Sequence, residues 1–289
     1  MHDNGLLKYY RTKCYKDGFI DASDIKLQED LTASMTATAI KCKSPVGYFY
    51  KKMNGFFSKE VADAEILLSQ LYQTAGLDSA IYLPGRDGWK TFLLSNDVCG
   101  KGVIEARSFH DRIADKEGIS TPVMATLTSK PYQTGSDIVK YFTKKALAKR
   151  IITRAYDSAG HNPDRQDCNY VYKLNDLGQA EDLALFDYER GGIEASQCMT
   201  FGRDVLLGYG YANDQGDKNI SRIGMIDRLK HDEFVASVVD LSQVGEQMGN
   251  IDVKGTALDI ARTTGYVVEP GYVDFISKSF NQTAELLIK

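Results

Sequence analysis

The sequence predicts an α+β chain in two lobes, a β-rich N-terminal lobe with one main helix and a mainly helical C-terminal lobe. Three observations predict it. Before residue 99, short runs rich in aromatic and β-branched residues are broken by turn residues, with one helical run among them. After residue 100, apolar residues recur mostly at three- and four-residue steps. Between these regimes of pattern, Asp164 and Asn169 open onto a short alternating hairpin that ends at Asp187.

A chain of 289 residues with 43% hydrophobic residues is long enough for one large or two modest domains with a proper core. A net charge of −4 gives no bulk attraction for nucleic acid, so direct nucleic-acid binding is not expected. No apolar run is long enough to span a bilayer, and residues 1–16 lack the apolar core of a secretory signal. The cysteines (Cys14, Cys42, Cys99, Cys168 and Cys198) are odd in number and scattered. They predict neither a disulfide framework nor a zinc site, and they fit a reducing, cytoplasmic setting. Four isolated histidines argue against a His-based metal site.

Residues 1–30 are polar with interspersed tyrosines, an N-terminal extension with some strand character and a turn at Asp21-Ala22-Ser23-Asp24. Residues 31–43 alternate small and polar side chains. They read as an edge strand, or as a stretch whose small hydroxyl residues let backbone N–H groups approach phosphates. No Walker motif is present. After the Ser44-Pro45 turn, residues 46–52 form a strand ending in Lys51 and Lys52, and Asn54-Gly55 breaks it.

Ser58 caps the next helix, with Glu60 in its first turn and Gly76 at its end. Val61, Ala64, Glu65, Leu68, Leu71 and Tyr72 share one face, which turns Glu65 inward. A buried carboxylate needs a cation, and the strand-end lysines are the candidates, Lys51 favoured over Lys52. Otherwise both lysines are solvated and Glu65 sits at the edge of its face. Residues 77–84 and 89–94 read as two strands joined by Gly85-Arg86-Asp87-Gly88, and residues 95–100 as a hinge.

Residues 100–130 carry no clear pattern. A helix is then expected from Ser136 or Asp137 to about Ala159, its stripe formed by Ile138, Phe142, Leu147, Ile151, Ile152, Ala155 and Tyr156, its basic residues solvated. Gly160 closes it. Asn169 leads into strand residues 170–174, Asn175-Asp176-Leu177-Gly178 supplies turn chemistry, and residues 183–186 return to Asp187. Such a hairpin sets Asn169 and Asp187 side by side at one rim, where an amide oxygen and a carboxylate suit Mg²⁺. Asp164, just upstream, can take a proton from an incoming hydroxyl. The competing reading is a polar loop before an ordinary hairpin, Asp164 capping and Asn169 in a turn. Residues 188–192 form a flexible exit, and residues 193–219 an irregular segment that could cover or receive a substrate. Helices are expected at 223–229, 233–241, 255–264 and 272–287.

This order of elements resembles the protein-kinase-like superfamily, and within it the HipA-like kinases. Three segments carry the likeness: Tyr50-Lys51-Lys52-Met53 running into Ala64-Glu65-Ile66-Leu67-Leu68-Ser69; Asn162-Pro163-Asp164-Arg165-Gln166-Asp167-Cys168-Asn169; and Leu183-Ala184-Leu185-Phe186-Asp187. The matching order spans roughly residues 31–190. The resemblance implies a bilobal protein-kinase-like fold, with residues 1–99 as the N-terminal lobe and 100–289 as the C-terminal lobe. It implies ATP and Mg²⁺ as cofactors. Lys51, braced by Glu65, would contact the α- and β-phosphates. Ser34-Met35-Thr36 would stand in for the phosphate loop, and Asn96 and Val98 in the hinge would border the nucleotide. Asp164 would be the catalytic base, and Asn169 and Asp187 would hold Mg²⁺. The implied activity is transfer of the γ-phosphate to a hydroxyl, with protein Ser/Thr as the leading acceptor and a small molecule or lipid as another. Two departures, Gln166 where the family usually has His and Tyr188-Glu189 after Asp187, motivate a pseudokinase regulator as the alternative. Acceptor and oligomeric state carry no sequence signature.

Overall fold

The computed structural model describes residues 17–29, 39–45, 47–53, 59–98, 102–119, 137–162, 169–188 and 222–289. Among them the architecture is mixed: a curled N-terminal sheet with one long helix, then a small second sheet and a helical C-terminal region.

The N-terminal sheet comprises β1 (Ile20–Asp21), β2 (Gln28–Glu29), β3 (Ala39–Ser44), β4 (Gly47–Met53), β6 (Tyr82–Asp87) and β7 (Lys90–Asn96), in the order β1-β6-β7-β4-β3-β2. All neighbours are antiparallel except β1 and β6. One face buries a small cluster of Ile20, Ile25, Phe49, Leu83, Phe92 and Leu94. The other receives α1 (Lys59–Thr74), whose Ala64, Ile66, Leu67, Leu68 and Leu71 are wholly buried. Burying each Leu or Ile contributes on the order of 2 kcal/mol, which lets this helix carry the charged Glu65 inside. Gly76, at φ 78°, ends it as expected.

The expected turn at Gly85-Arg86-Asp87-Gly88 is tighter in the structure. Gly85, Arg86 and Asp87 belong to β6, and the reversal is Gly88-Trp89. The reason lies opposite Gly85: a Cβ there would meet the Phe92 ring at 2.2 Å, so only glycine lets that ring lie across the strand pair.

The second sheet has the order β5-β10-β9-β8, from β5 (Asp78–Ser79), β8 (Val103–Glu105), β9 (Tyr170–Leu174) and β10 (Ala180–Leu185). The stretch that showed no pattern supplies β8 and α2 (Ala106–Glu117), which Gly118 stops in the left-handed region. The helix expected from residue 136 or 137 begins later. A 3-10 turn covers Asp137–Tyr141, Phe142 bridges to Ala180, and Thr143 caps α3 (Lys144–Ala159) by accepting the Ala146 N–H. Phe142 is pulled out of helical register into an aromatic cluster with Phe109 and Tyr172.

The C-terminal helices are α4 (Arg222–Lys230), α5 (Glu233–Val238), α6 (Leu241–Gly249), α7 (Val253–Thr264) and α8 (Pro270–Ile288). The helix expected over 233–241 is divided because Asp240 starts a new one, its carboxylate accepting the Ser242 and Gln243 N–H groups. One continuous apolar core runs from α1 through α2 and α3 to α8. No helix among the described residues is long and apolar enough to cross a membrane.

Candidate active site

Strand β4 carries two adjacent lysines, and the pleat sends them to opposite faces. Lys52 faces α1. Its Nζ lies 2.6 Å from Glu65 Oε1 and 2.9 Å from Asp187 Oδ1. Lys51 faces the small cluster instead, with its Nζ 5.0 Å from the Phe92 ring centroid and 3.4 Å from Glu29 Oε1. The expected pairing of Lys51 with Glu65 is therefore corrected to Lys52. A strand shifts a side chain to the other face with every residue, so one position decides the partner.

Glu65 is fully buried and uses both oxygens, Oε1 on Lys52 and Oε2 on the Tyr188 backbone N–H at 2.9 Å. Burial pushes its carboxyl up to about 7, against the pull of Lys52. Burial alone would lower the Lys52 ammonium, but Glu65, Tyr82 and Asp187 outweigh it and hold it well above the ordinary lysine value. The cation thus stays charged at any physiological pH.

Asp187 sits just past the end of β10 with φ 65°. The hairpin register that puts it there is direct: Leu185 pairs with Tyr170, and the Phe186 N–H donates to the Asn169 carbonyl at 3.1 Å. Asn169 and the Asp187 segment therefore lie at one rim of the second sheet. The Asp187 N–H donates to Tyr82 Oη at 3.0 Å. Tyr188, fully buried, packs edge-on against Tyr72 and Tyr82 and shares a 2.6 Å hydrogen bond with Ser79 Oγ. Tyr82 carries no sign of this role in the sequence, where an aromatic residue in a strand reads as core; Tyr188, expected to open a flexible exit, is instead fully buried.

A second buried carboxylate on α1, Asp63, accepts from Tyr266 Oη at 2.8 Å, from the Glu269 N–H at 3.0 Å and from Lys59 Nζ at 2.9 Å. It ties α1 to the segment between α7 and α8, across two hundred residues of chain, and no local pattern marks it. Asn96 Oδ1 accepts the Ile81 N–H at 2.8 Å, so its side chain braces the β-rich lobe, and Val98 packs against the main core. Asp164, Gln166, Glu189 and Ser34-Met35-Thr36 lie outside the described residues.

Asn169 and Asp187 offer hard oxygen donors, and Asp187 keeps a quarter of its side chain exposed. That donor chemistry fits Mg²⁺. Among the described residues no three His, Cys, Asp or Glu side chains gather into a self-sufficient cation site.

No protein-family model matches the chain, and no curated protein matches it. Solved structures do. The chain is similar to the proinflammatory kinase CtkA of Helicobacter pylori, with a TM-score of 0.63 at 10% identity over 93% of this chain and 97% of that one. It is more distantly similar to HipA, from a toxin–antitoxin complex of Shewanella oneidensis MR-1, with a TM-score of 0.43 at 10% identity over 88% of this chain and 64% of that one. A still weaker likeness reaches the choline kinase LicA of Streptococcus pneumoniae, at a TM-score of 0.29 and 11% identity over 92% of this chain and 96% of that one. The chain has the bilobal protein-kinase-like fold.

Proposed function

We propose that this chain is an ATP- and Mg²⁺-dependent phosphotransferase that moves the γ-phosphate of ATP to a hydroxyl, with Ser or Thr of a protein as the acceptor. The observation that carries the reading is the buried Lys52, held by Glu65 from α1 and by Asp187 from the hairpin. A strand, a helix and a distant turn converge there on one cation. Similarity of fold to CtkA supports the same reading.

In this proposal the lobes are residues 1–99 and 100–289, with the nucleotide between them. Lys52 takes the role first expected of Lys51, pairing with the α- and β-phosphates while Glu65 fixes its reach. Asn169 and Asp187 hold Mg²⁺, which when bound neutralises charge on the phosphates. Ser34-Met35-Thr36 covers the phosphates, and Asn96 and Val98 border the nucleotide. Asp164 orients the acceptor hydroxyl and takes its proton. Such a reaction needs positioning and charge neutralisation more than covalent chemistry, and these residue types provide both.

Asp164→Ala tests the assignment. A general base contributes roughly 10²–10⁴-fold, so transfer of labelled phosphate should fall by about that much. The thermal shift produced by ATP with Mg²⁺ should stay within ~1 °C of the wild-type shift, because Asp164 is assigned no part in holding the nucleotide. Transfer at the normal rate would remove the base. A wild-type protein that shows no shift at millimolar ATP and Mg²⁺ would favour a regulator without nucleotide.

A further inference from the structure

Asp187 is a non-glycine residue at φ 65°, a conformation that costs an L-residue on the order of 1 kcal/mol. Something must hold it there. The β10 ladder ends at Leu185, and after the Phe186 bond to Asn169 the next two amides leave the sheet. Both are taken by side chains from the N-terminal half of the fold. The Asp187 N–H goes to Tyr82 Oη at 3.0 Å, and the Tyr188 N–H to Glu65 Oε2 at 2.9 Å.

We infer that Tyr82 is a positioning residue for the Asp187 carboxylate, its phenol oxygen clamping the left-handed turn from which that carboxylate reaches the cation. The inference rests on the proposed role of Asp187 in holding Mg²⁺. Tyr82 is suited to the task because it is enclosed on all sides. It is 3% exposed, lies within β6 opposite Ser95 of β7, and its ring packs beneath Lys52 Nζ (5.6 Å to the centroid) and edge-on to Tyr188. Its chemistry is suited as well. The phenol oxygen accepts the Asp187 N–H at 3.0 Å without bringing another carboxylate beside Glu65 and Asp187. A carboxylate here would compete for Lys52, and a phenylalanine would leave a part-buried N–H without its partner. The clamp also bridges the lobes. β6 belongs to the N-terminal sheet and Asp187 follows the hairpin of the second sheet, so the placement of the cation-binding carboxylate is coupled to the placement of β6 and α1.

Tyr82→Phe removes the oxygen and keeps the ring. Amide exchange followed by NMR in the ligand-free protein should show the Asp187 N–H exchanging about 10-fold faster or more, as expected when one hydrogen bond is lost. The Mg²⁺ concentration that half-saturates ATP binding should rise by about 5- to 10-fold. Nucleotide binding measured in EDTA should stay within about 2-fold of wild type, because Lys52 and Glu65 remain. A lower melting temperature with Asp187 exchange and Mg²⁺ dependence both at wild-type values would overturn the inference. Should the variant not fold, the wild-type protein alone decides it: an Asp187 amide as unprotected as free chain contradicts the clamp. If wild-type protein binds no Mg²⁺-dependent nucleotide, the proposed function fails, and the exchange of the Asp187 amide still tests Tyr82 by itself.

Discussion

The two faces of β4 receive neighbouring lysines and treat them in opposite ways. On one face Lys51 lies over Phe92 and reaches out to Glu29 and Asp87, whose side chains are 44% and 62% exposed. On the other, Lys52 meets Glu65, which is fully buried, and Asp187 at the rim. Both lysines are themselves buried, so burial does not distinguish them. Their partners do. A cation answered by half-exposed carboxylates has partners that water can replace. A cation answered by a buried carboxylate ties three elements together, because none of the three charges can leave without stranding another.

The sharpest contrast in stability lies between those carboxylates. Glu65→Ala leaves Lys52 buried with one partner fewer, and denaturant melts should show a loss of about 3 kcal/mol. Glu29→Ala, which removes a half-exposed partner while Asp87 still lies 3.8 Å from Lys51 Nζ, should change stability by less, about 1 kcal/mol at most. Equal losses would erase the distinction between the faces.

A smaller effect appears in pH. Glu65 has a folded value raised to about 7 from an ordinary value of 4.5. The folded state then binds the proton more tightly than the unfolded chain, so this contribution to stability is fully present below 4.5 and is lost as pH rises through 7. Melts of wild type against Glu65→Gln across that window should show the wild-type protein losing ground as pH rises. Lys51→Met measured alongside should keep the wild-type slope.

Much of this arrangement was legible in the amino-acid order. The three- and four-residue spacing of Ala64, Glu65, Leu68, Leu71 and Tyr72 turned Glu65 inward, and the structure buries all five. The turn at Asn175-Asp176-Leu177-Gly178 fixed the hairpin whose register brings Asn169 beside the Asp187 segment. What was not legible has physical reasons. Tyr48, Phe49 and Tyr50 are all aromatic, so β4 shows no alternation to say which face Lys51 takes. Asp63 and Tyr82 act through partners 203 and 105 residues away, and spacing along the chain carries no trace of such contacts. Phe142 satisfied the helical stripe, yet tertiary packing against Phe109 and Tyr172 took it out of the helix.

The central claim, that Lys52 and not Lys51 is the cation that receives nucleotide phosphates, is tested most directly by calorimetric titration of Mg·ATP into wild type, Lys51→Ala and Lys52→Ala. Wild type and Lys51→Ala should bind within about 2-fold of each other, while Lys52→Ala should lose roughly 10²-fold or more, the scale of a removed charge-stabilising donor. Equal losses from both lysines, or a loss from Lys51→Ala alone, would contradict it.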